Sequence, residues 1–245
     1  MENYTLTEIN NGIKLYQPQG GLAFGTDALL LASFVRRQKN ASCVELGSGT
    51  GVISLLMLAR GKIRCTRGIE IQPEYYEVSK LNAEVNGMTD RFEPILCDAV
   101  QYSTTERYDV VYSNPPYLEV TGKESPDIKR DTARREISGG IADFSAAAAK
   151  LLRYGGLFCV VYRPERLTEL MYSMRSNKIE PKRLTMVYED TAHTPCLVLV
   201  EGRLGGAPGL FATPPFFIRS ADGGYSDEYK YQIENGDFDE RYYCR

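Results

Sequence analysis

The sequence predicts an α/β protein: a mostly parallel, seven-stranded sheet with helices on both faces and an antiparallel strand at its edge. From residue 42 onward, short β-branched runs alternate with longer helical patterns, the order that builds a parallel sheet covered on both sides. The first of these strands runs straight into Gly47-Ser48-Gly49-Thr50-Gly51 and then an apolar helix. The central strand, Tyr108 to Ser113, stops at Asn114-Pro115-Pro116-Tyr117. Consecutive prolines offer no N–H and cannot continue a ladder, so this tetrapeptide is a stiff elbow at a strand's carboxyl end.

Residues 1–38 open with an alternating polar stretch ending in Lys14-Leu15-Tyr16-Gln17-Pro18, which predicts a small hairpin, followed by a Gln19-Gly20-Gly21 turn or loop. Thr26 or Asp27 is placed to cap the next helix. That helix is expected to be amphipathic and to end on Arg36-Arg37-Gln38-Lys39, where the dipole favours cations. Residues 40–204 form the core unit, with strands over 42–46, 64–71, 93–96, 108–113, 157–162, 184–188 and 196–201. Helices are expected over 52–60, 73–86, 142–152 and 164–176, the second stopped by Asn86-Gly87. Tyr154-Gly155-Gly156 reads as a turn, and the last two strands as an antiparallel edge hairpin. A long polar loop, Leu118 to Arg135, follows the elbow. Residues 205–245 read as an extension of a single domain spanning 1–245, because their apolar content is too small for a second core.

Composition narrows the classes. No run of about eighteen apolar residues is present, so no membrane span is expected, and the start Met1-Glu2-Asn3-Tyr4-Thr5 lacks the basic and apolar parts of a signal peptide. A cytoplasmic protein follows by default, with a monomer favoured. The cysteines Cys43, Cys65, Cys97, Cys159, Cys196 and Cys244 are scattered, most of them inside apolar runs, and read as reduced core thiols. His193 is the only histidine, which argues against a His-rich metal site and a Ser-His-Asp triad, so no metal is expected. The net charge is −3, but residues 123–183 hold 13 Lys/Arg against 8 Asp/Glu, and residues 222–240 hold 7 Asp/Glu and one Lys. A basic face beside an acidic tail is compatible with a polyanion bound on one side; solvated surface is the plainer alternative.

The elbow sets an amide side chain, the acceptor-only Pro115 carbonyl and the Tyr117 ring side by side. Such a set suits a planar, amino-bearing group, with acceptors for its N–H bonds and a ring to stack on. A Pro-Pro turn with an incidental asparagine is equally compatible with the elbow alone. The glycine turn permits positive φ and close approach of a ligand to the backbone. A dinucleotide fingerprint would need a glycine where Val52 stands, and no Gly-Lys-Ser/Thr follows for a phosphate loop. Glu70 ends the second strand about twenty residues on, where a carboxylate can accept ribose hydroxyls. Asp98 lies just past the third strand, flanked by Cys97 and Ala99.

Glu45-x-Gly47-x-Gly49-x-Gly51, then Glu70, Asp98 and Asn-Pro-Pro-Tyr in that order, resembles Rossmann-like class I methyltransferases that use S-adenosylmethionine to methylate amino groups. The segment Gly20-Gly21-Leu22-Ala23-Phe24-Gly25-Thr26-Asp27-Ala28-Leu29-Leu30-Leu31-Ala32 is similar to that of bacterial tRNA(Val) adenine-N6-methyltransferases. So are Ala133-Arg134-Arg135-Glu136, Pro214-Pro215-Phe216-Phe217 and Gly224-Tyr225-Ser226, which extends the resemblance over nearly the whole chain. The resemblance implies methyl transfer to N6 of the adenosine 3′ of the anticodon. Asn114, Pro115, Pro116 and Tyr117 then carry the catalysis. Phe24, Thr26, Asp27, Glu45, Gly47, Gly49, Gly51, Glu70, Ile71, Asp98, Ala99 and Asn114 hold the cofactor. Capping remains the other role for Asp27. Lys123, Lys129, Arg130, Arg134 and Arg135, on the loop after the elbow, are placed for tRNA phosphates; for each taken singly, a solvated basic loop is the alternative.

The same elbow serves protein glutamine N5-methyltransferases, which usually carry a separate helical N-terminal domain; the 35 to 40 residues ahead of the core leave no room for one. Guanine N2 and DNA adenine are further substrates within the enzyme class. A non-catalytic nucleic-acid-binding module of the same fold would have no need of Asn114, Tyr117 and Glu70 together.

Overall fold

Residues 4–9, 12–18, 25–116 and 140–243 are described by the computed structural model. The chain opens with an antiparallel hairpin, β1 (Tyr4–Ile9) and β2 (Ile13–Pro18), then helix α1 (Thr26–Phe34). Next come β3 (Ser42–Leu46), α2 (Val52–Ala59), β4 (Cys65–Glu70), α3 (Pro73–Val85), β5 (Phe92–Leu96) and β6 (Tyr108–Ser113). The later elements are α4 (Ile141–Leu151), β7 (Leu152–Tyr162), α5 (Leu167–Ser176), β8 (Ile179–Tyr188) and β9 (Pro195–Leu204). Short strands β10 (Phe211–Ala212) and β11 (Phe216–Phe217) and helix α6 (Asp227–Asn235) complete them.

The main sheet has the order β10-β8-β9-β7-β6-β3-β4-β5, with β11 also on β8. The pairs β3–β4, β3–β6, β4–β5 and β6–β7 are parallel, while β9 runs against both β7 and β8. All seven strands expected in the core are present. The last two core strands form the expected antiparallel hairpin, but its reversed strand is not outermost: β9 folds back between β7 and β8, and the extension adds β10 and β11 outside β8. Filling that slot pairs both edges of β9, which an outer position would leave half bare.

Alternate residues of each central strand enter opposite cores. Cys43, Val110, Tyr112, Cys159 and Val161 pack with α1 and α2; Val44, Leu46, Val111, Phe158 and Val160 pack with α4 and α5. Burial on both faces explains why these strands read as continuous apolar runs. Strand β7 begins earlier than expected. Tyr154-Gly155-Gly156 is an irregularity within it, Gly155 at φ 78°, where the β6–β7 register shifts between Tyr108 and Val110.

Helix α1 is not amphipathic. It buries six of its nine residues and carries no basic residue in its last turn. A helix apolar on nearly every side is covered on every side. The cover is the C-terminal extension: Phe34 meets Phe238 edge-on at 5.9 Å, and Gln232 Nε2 donates to Leu29 O and Ser33 Oγ at 3.3 and 2.6 Å. Arg36 and Arg37 pair with Glu201 and Asp237 at 2.9 and 2.8 Å rather than with the helix end. Lys62, fully buried, clamps Asp237 at 2.7 Å, and burial draws its pKa down to about 8.

The hairpin is held to α3 by two asparagines. Asn82 exchanges hydrogen bonds with the Tyr16 N–H and carbonyl (2.7 and 3.1 Å), and Asn86 with those of Lys14 (3.0 and 2.7 Å). Four residues of helix rise about 6 Å and two of strand about 6.6 Å, so the side-chain amides act as a second strand. Among the described residues, no helix is long and apolar enough to cross a membrane.

Candidate active site

Open α/β sheets bind ligands where neighbouring strands send their chains to opposite sides. Here that point lies between β3 and β6: the chain leaves β3 for β4 and β5, then returns to pair β6 on the other side of β3. The glycine turn leaves β3 and the Asn-Pro-Pro elbow leaves β6, so both motifs flank one crevice edge. Ser113 ties them, its Oγ donating to the Leu46 carbonyl at 2.7 Å.

Gly47, Gly49 and Gly51 take φ of 72°, 53° and 82°, the left-handed region that glycine enters without a steric cost. Their roles diverge. A Cβ on Gly51 would lie 2.6 Å from Phe92 Cε1, whereas one on Gly49 meets nothing within 4 Å. Gly51 therefore serves packing and starts α2, and Gly49 leaves the backbone open to a ligand. Gly68 on β4 is a packing glycine with no local signature in the sequence: a Cβ there would meet Phe92 at 2.7 Å and Ser48 Oγ at 2.8 Å.

Glu70 closes the turn. It accepts from Gly49 N and Gln72 N, each at 2.8 Å, and from the Ile71 amide. Burial pushes its pKa up while those amides pull it down. A carboxylate has about four acceptor positions; with the amides on three of them, room remains for one ribose hydroxyl, and a second requires an amide to let go. Ile71 follows in the same turn. Asp98 folds on itself, Oδ1 accepting from Val100 N at 2.9 Å, while Ala99 packs against the core with Val44 and Ile69.

Glu45, expected to touch the cofactor, is 1% exposed and faces α2 instead. Its Oε2 accepts from Ser54 N (3.3 Å) and Ser54 Oγ (2.5 Å), and Ser54 Oγ meets Tyr112 Oη at 2.8 Å. Thr66 Oγ1 lies 2.9 Å from the same Tyr112 oxygen. Burial raises the Glu45 pKa to about 8. The acid braces the first turn of α2 from beneath, as a buried hydrogen-bond partner of Ser54.

At the elbow, Pro115 is buried and Asn114 half-buried. Asn114 Nδ2 donates to Asp27 Oδ2 at 2.7 Å. Gly25, not Thr26 or Asp27, holds the cap position of α1; Thr26 is the first helical residue and its hydroxyl bonds Tyr229, while Asp27 Oδ1 accepts from the first-turn Ala28 N–H at 2.9 Å. Phe24, Tyr117, Lys123, Lys129, Arg130, Arg134, Arg135 and Cys244 lie outside the described residues, as does the loop from Leu118 to Arg135.

The family model for the methyltransferase small domain matches residues 19–178. The chain belongs to that family. A tRNA1(Val) (adenine(37)-N6)-methyltransferase of Porphyromonas gingivalis is 29% identical to it over 218 residues, 84% of each chain. A predicted O-methyltransferase from Agrobacterium tumefaciens superposes with a TM-score of 0.68 at 19% identity, covering 86% of this chain and 96% of that one. M. jannaschii TYW2, solved in complex with AdoMet, gives 0.58 at 15% identity, covering 82% and 85%. At such identities the solved structures speak for the fold alone.

The methyltransferase thus brings Gly47, Gly49, Glu70, Ile71, Asp98, Asn114 and Asp27 to the sheet edge that this fold uses for ligands. It sets Glu45 and Gly51 beneath that edge as supports. The Ser54, Thr66 and Tyr112 network was invisible in the sequence, since each residue is ordinary in its own segment. Alternation of Val111 and Tyr112 about the sheet is the one signal that puts a tyrosine under Glu45.

Proposed function

We propose that this methyltransferase uses S-adenosylmethionine to methylate the exocyclic N6 of an adenine in tRNA, the adenosine 3′ of the anticodon in tRNA(Val). The observation that carries the reading is Asn114, held at the elbow beside the glycine turn on neighbouring strands. The name of the Porphyromonas gingivalis relative, at 84% coverage of both chains, supports the substrate. A tRNA substrate in turn fits a cytoplasmic enzyme.

The described residues fit an adenosyl group. Gly49 has open space where a Cβ would stand, Glu70 keeps an acceptor position, and Asp98 sits past β5, where an acceptor meets the adenine amine. When bound, S-adenosylmethionine supplies a methyl group on a positively charged sulfur. The chain's own residues do the rest. An adenine amine is a poor nucleophile because its lone pair is drawn into the ring. Asn114 Oδ1 and the Pro115 carbonyl accept its N–H bonds and bias the nitrogen toward a tetrahedral shape. Its lone pair would then be free to take the methyl group that a bound cofactor would supply, and the nitrogen would give a proton to solvent. Tyr117 stacks on the base once it leaves the anticodon stack. The attacking amine is neutral, so the step needs no strong base, and holding the reactants together is the main source of rate. Lys123, Lys129, Arg130, Arg134 and Arg135 hold tRNA phosphates.

Asn114→Ala removes one of the two acceptors. Its kcat/KM on a tRNA(Val) transcript should fall on the order of 10²–10³-fold, as for other preorganised hydrogen-bond partners. Unchanged turnover in a methyl-transfer assay sinks the reading.

A further inference from the structure

The hydrogen bond from Asn114 Nδ2 to Asp27 Oδ2 joins residues 87 apart in sequence at 2.7 Å. A carboxylate has no proton to give, so only the nitrogen end of the asparagine amide can face it. The two ends of that amide are nearly equal in size. Turned over, it would present N–H groups to a substrate amine that also brings N–H groups, and the elbow would lose an acceptor.

Gly25 supplies a second observation. Its φ of −98° suits any residue, so its backbone does not call for glycine. A Cβ there would fall 2.6 Å from Asp27 Oδ1, the oxygen that accepts from Ala28 N at 2.9 Å. The glycine leaves room for the carboxylate. The helix bearing Asp27 is itself anchored: Thr26 bonds Tyr229, and buried Lys62 donates to the Ala32 and Ser33 carbonyls at 2.9 and 2.7 Å.

We infer that Asp27 is a positioning residue that fixes the Asn114 amide with its oxygen toward the amine to be methylated, in space that Gly25 keeps clear. This role rests on the proposed function above and adds to it a part for the N-terminal helix. It differs from a cofactor contact, since it acts through Asn114 and on turnover rather than on cofactor affinity.

The test compares Asp27→Asn, Gly25→Ala, Asn114→Ala and Asp27→Asn/Asn114→Ala on a tRNA(Val) transcript, with AdoMet binding by calorimetry and melting temperature for each. In Asp27→Asn the oxygen stays with the Ala28 N–H, so the new amide nitrogen faces Asn114 and favours its turned-over orientation. Asp27→Asn should lower kcat about 10- to 100-fold, the scale of a hydrogen bond to a charged group. KM for tRNA and the AdoMet Kd should stay within about threefold. Gly25→Ala, which displaces the carboxylate without removing it, should shift kcat in the same direction and fold normally. The double variant should be no slower than Asn114→Ala within about twofold, because coupled residues do not lose independently. The role is overturned if Asp27→Asn keeps full kcat, if its loss sits in the AdoMet Kd, or if the two losses multiply. Full activity in Asn114→Ala instead overturns the proposed function, and this role with it. Full activity in Asp27→Asn alone leaves that function standing.

Discussion

Replacing Glu45 by glutamine separates charge from shape under the site. Its carboxyl is buried against Ser54 and Tyr112, and burial lifts its pKa from 4.5 to about 8. Below pH 4.5 the folded and unfolded chains both hold the proton. Between about 4.5 and 8 the unfolded chain releases it while the folded chain keeps it, so stability falls as pH rises. Above about 8 both forms are ionised and the whole cost, on the order of a few kcal/mol, is in place. Glu45→Gln carries no such cost. Urea unfolding at pH 5, 7 and 9 should show the variant gaining on the wild type as pH rises; a constant difference would mean that Glu45 does not titrate there. In the sequence Glu45 is an acid two residues before a glycine turn, and that pattern does not distinguish a ligand contact from a brace. Only the register of β3 on β6, which sets Tyr112 beside Glu45, decides it.

The turn from β3 into α2 makes a prediction at the scale of an element. Gly51→Ala meets both a left-handed φ and Phe92, and should cost about 2–5 kcal/mol in chemical denaturation. Gly49→Ala bears the backbone cost alone, about 1–2 kcal/mol, while its methyl enters the open side of the turn. That variant should fold and bind AdoMet roughly tenfold or more weakly. Equal losses of stability in the two variants, with AdoMet affinity intact, would show that the glycines are interchangeable. The strand–turn–helix unit was legible because its glycines and apolar run are contiguous. Strand β7 was less so, since Tyr154-Gly155-Gly156 has the composition of a turn and is kept in the strand by the neighbouring chains. The amphipathic reading of α1 failed for a similar reason: the partner that buries its outer face, Phe238, lies some 200 residues on.

Over the whole molecule, the two ends of the chain close on the sheet. Arg183, fully buried in β8, reaches Glu201 at 2.9 Å and the carbonyls of Phe34 and Tyr242, with its guanidinium 3.7 Å from the Phe34 ring centroid. Asp237 of the acidic tail pairs with Arg37 and Lys62, so part of the tail is a clasp rather than a solvated arm. The clasp backs the helix that carries Asp27, which links the extension to the elbow through packed elements. Strand order is the property least visible in the sequence, because nothing local tells β9 to enter between β7 and β8. The parallel core and both motif-bearing turns, by contrast, follow from alternation alone. Glycine turn, elbow and clasp all serve one reaction, the transfer of a methyl group to an adenine amine. Its most direct test is mass spectrometry of nucleosides from tRNA(Val) incubated with the protein and methyl-labelled AdoMet. Label should appear in N6-methyladenosine at the adenosine 3′ of the anticodon and be lost with Asn114→Ala; label in another nucleoside, or none in the tRNA, would rule that transfer out.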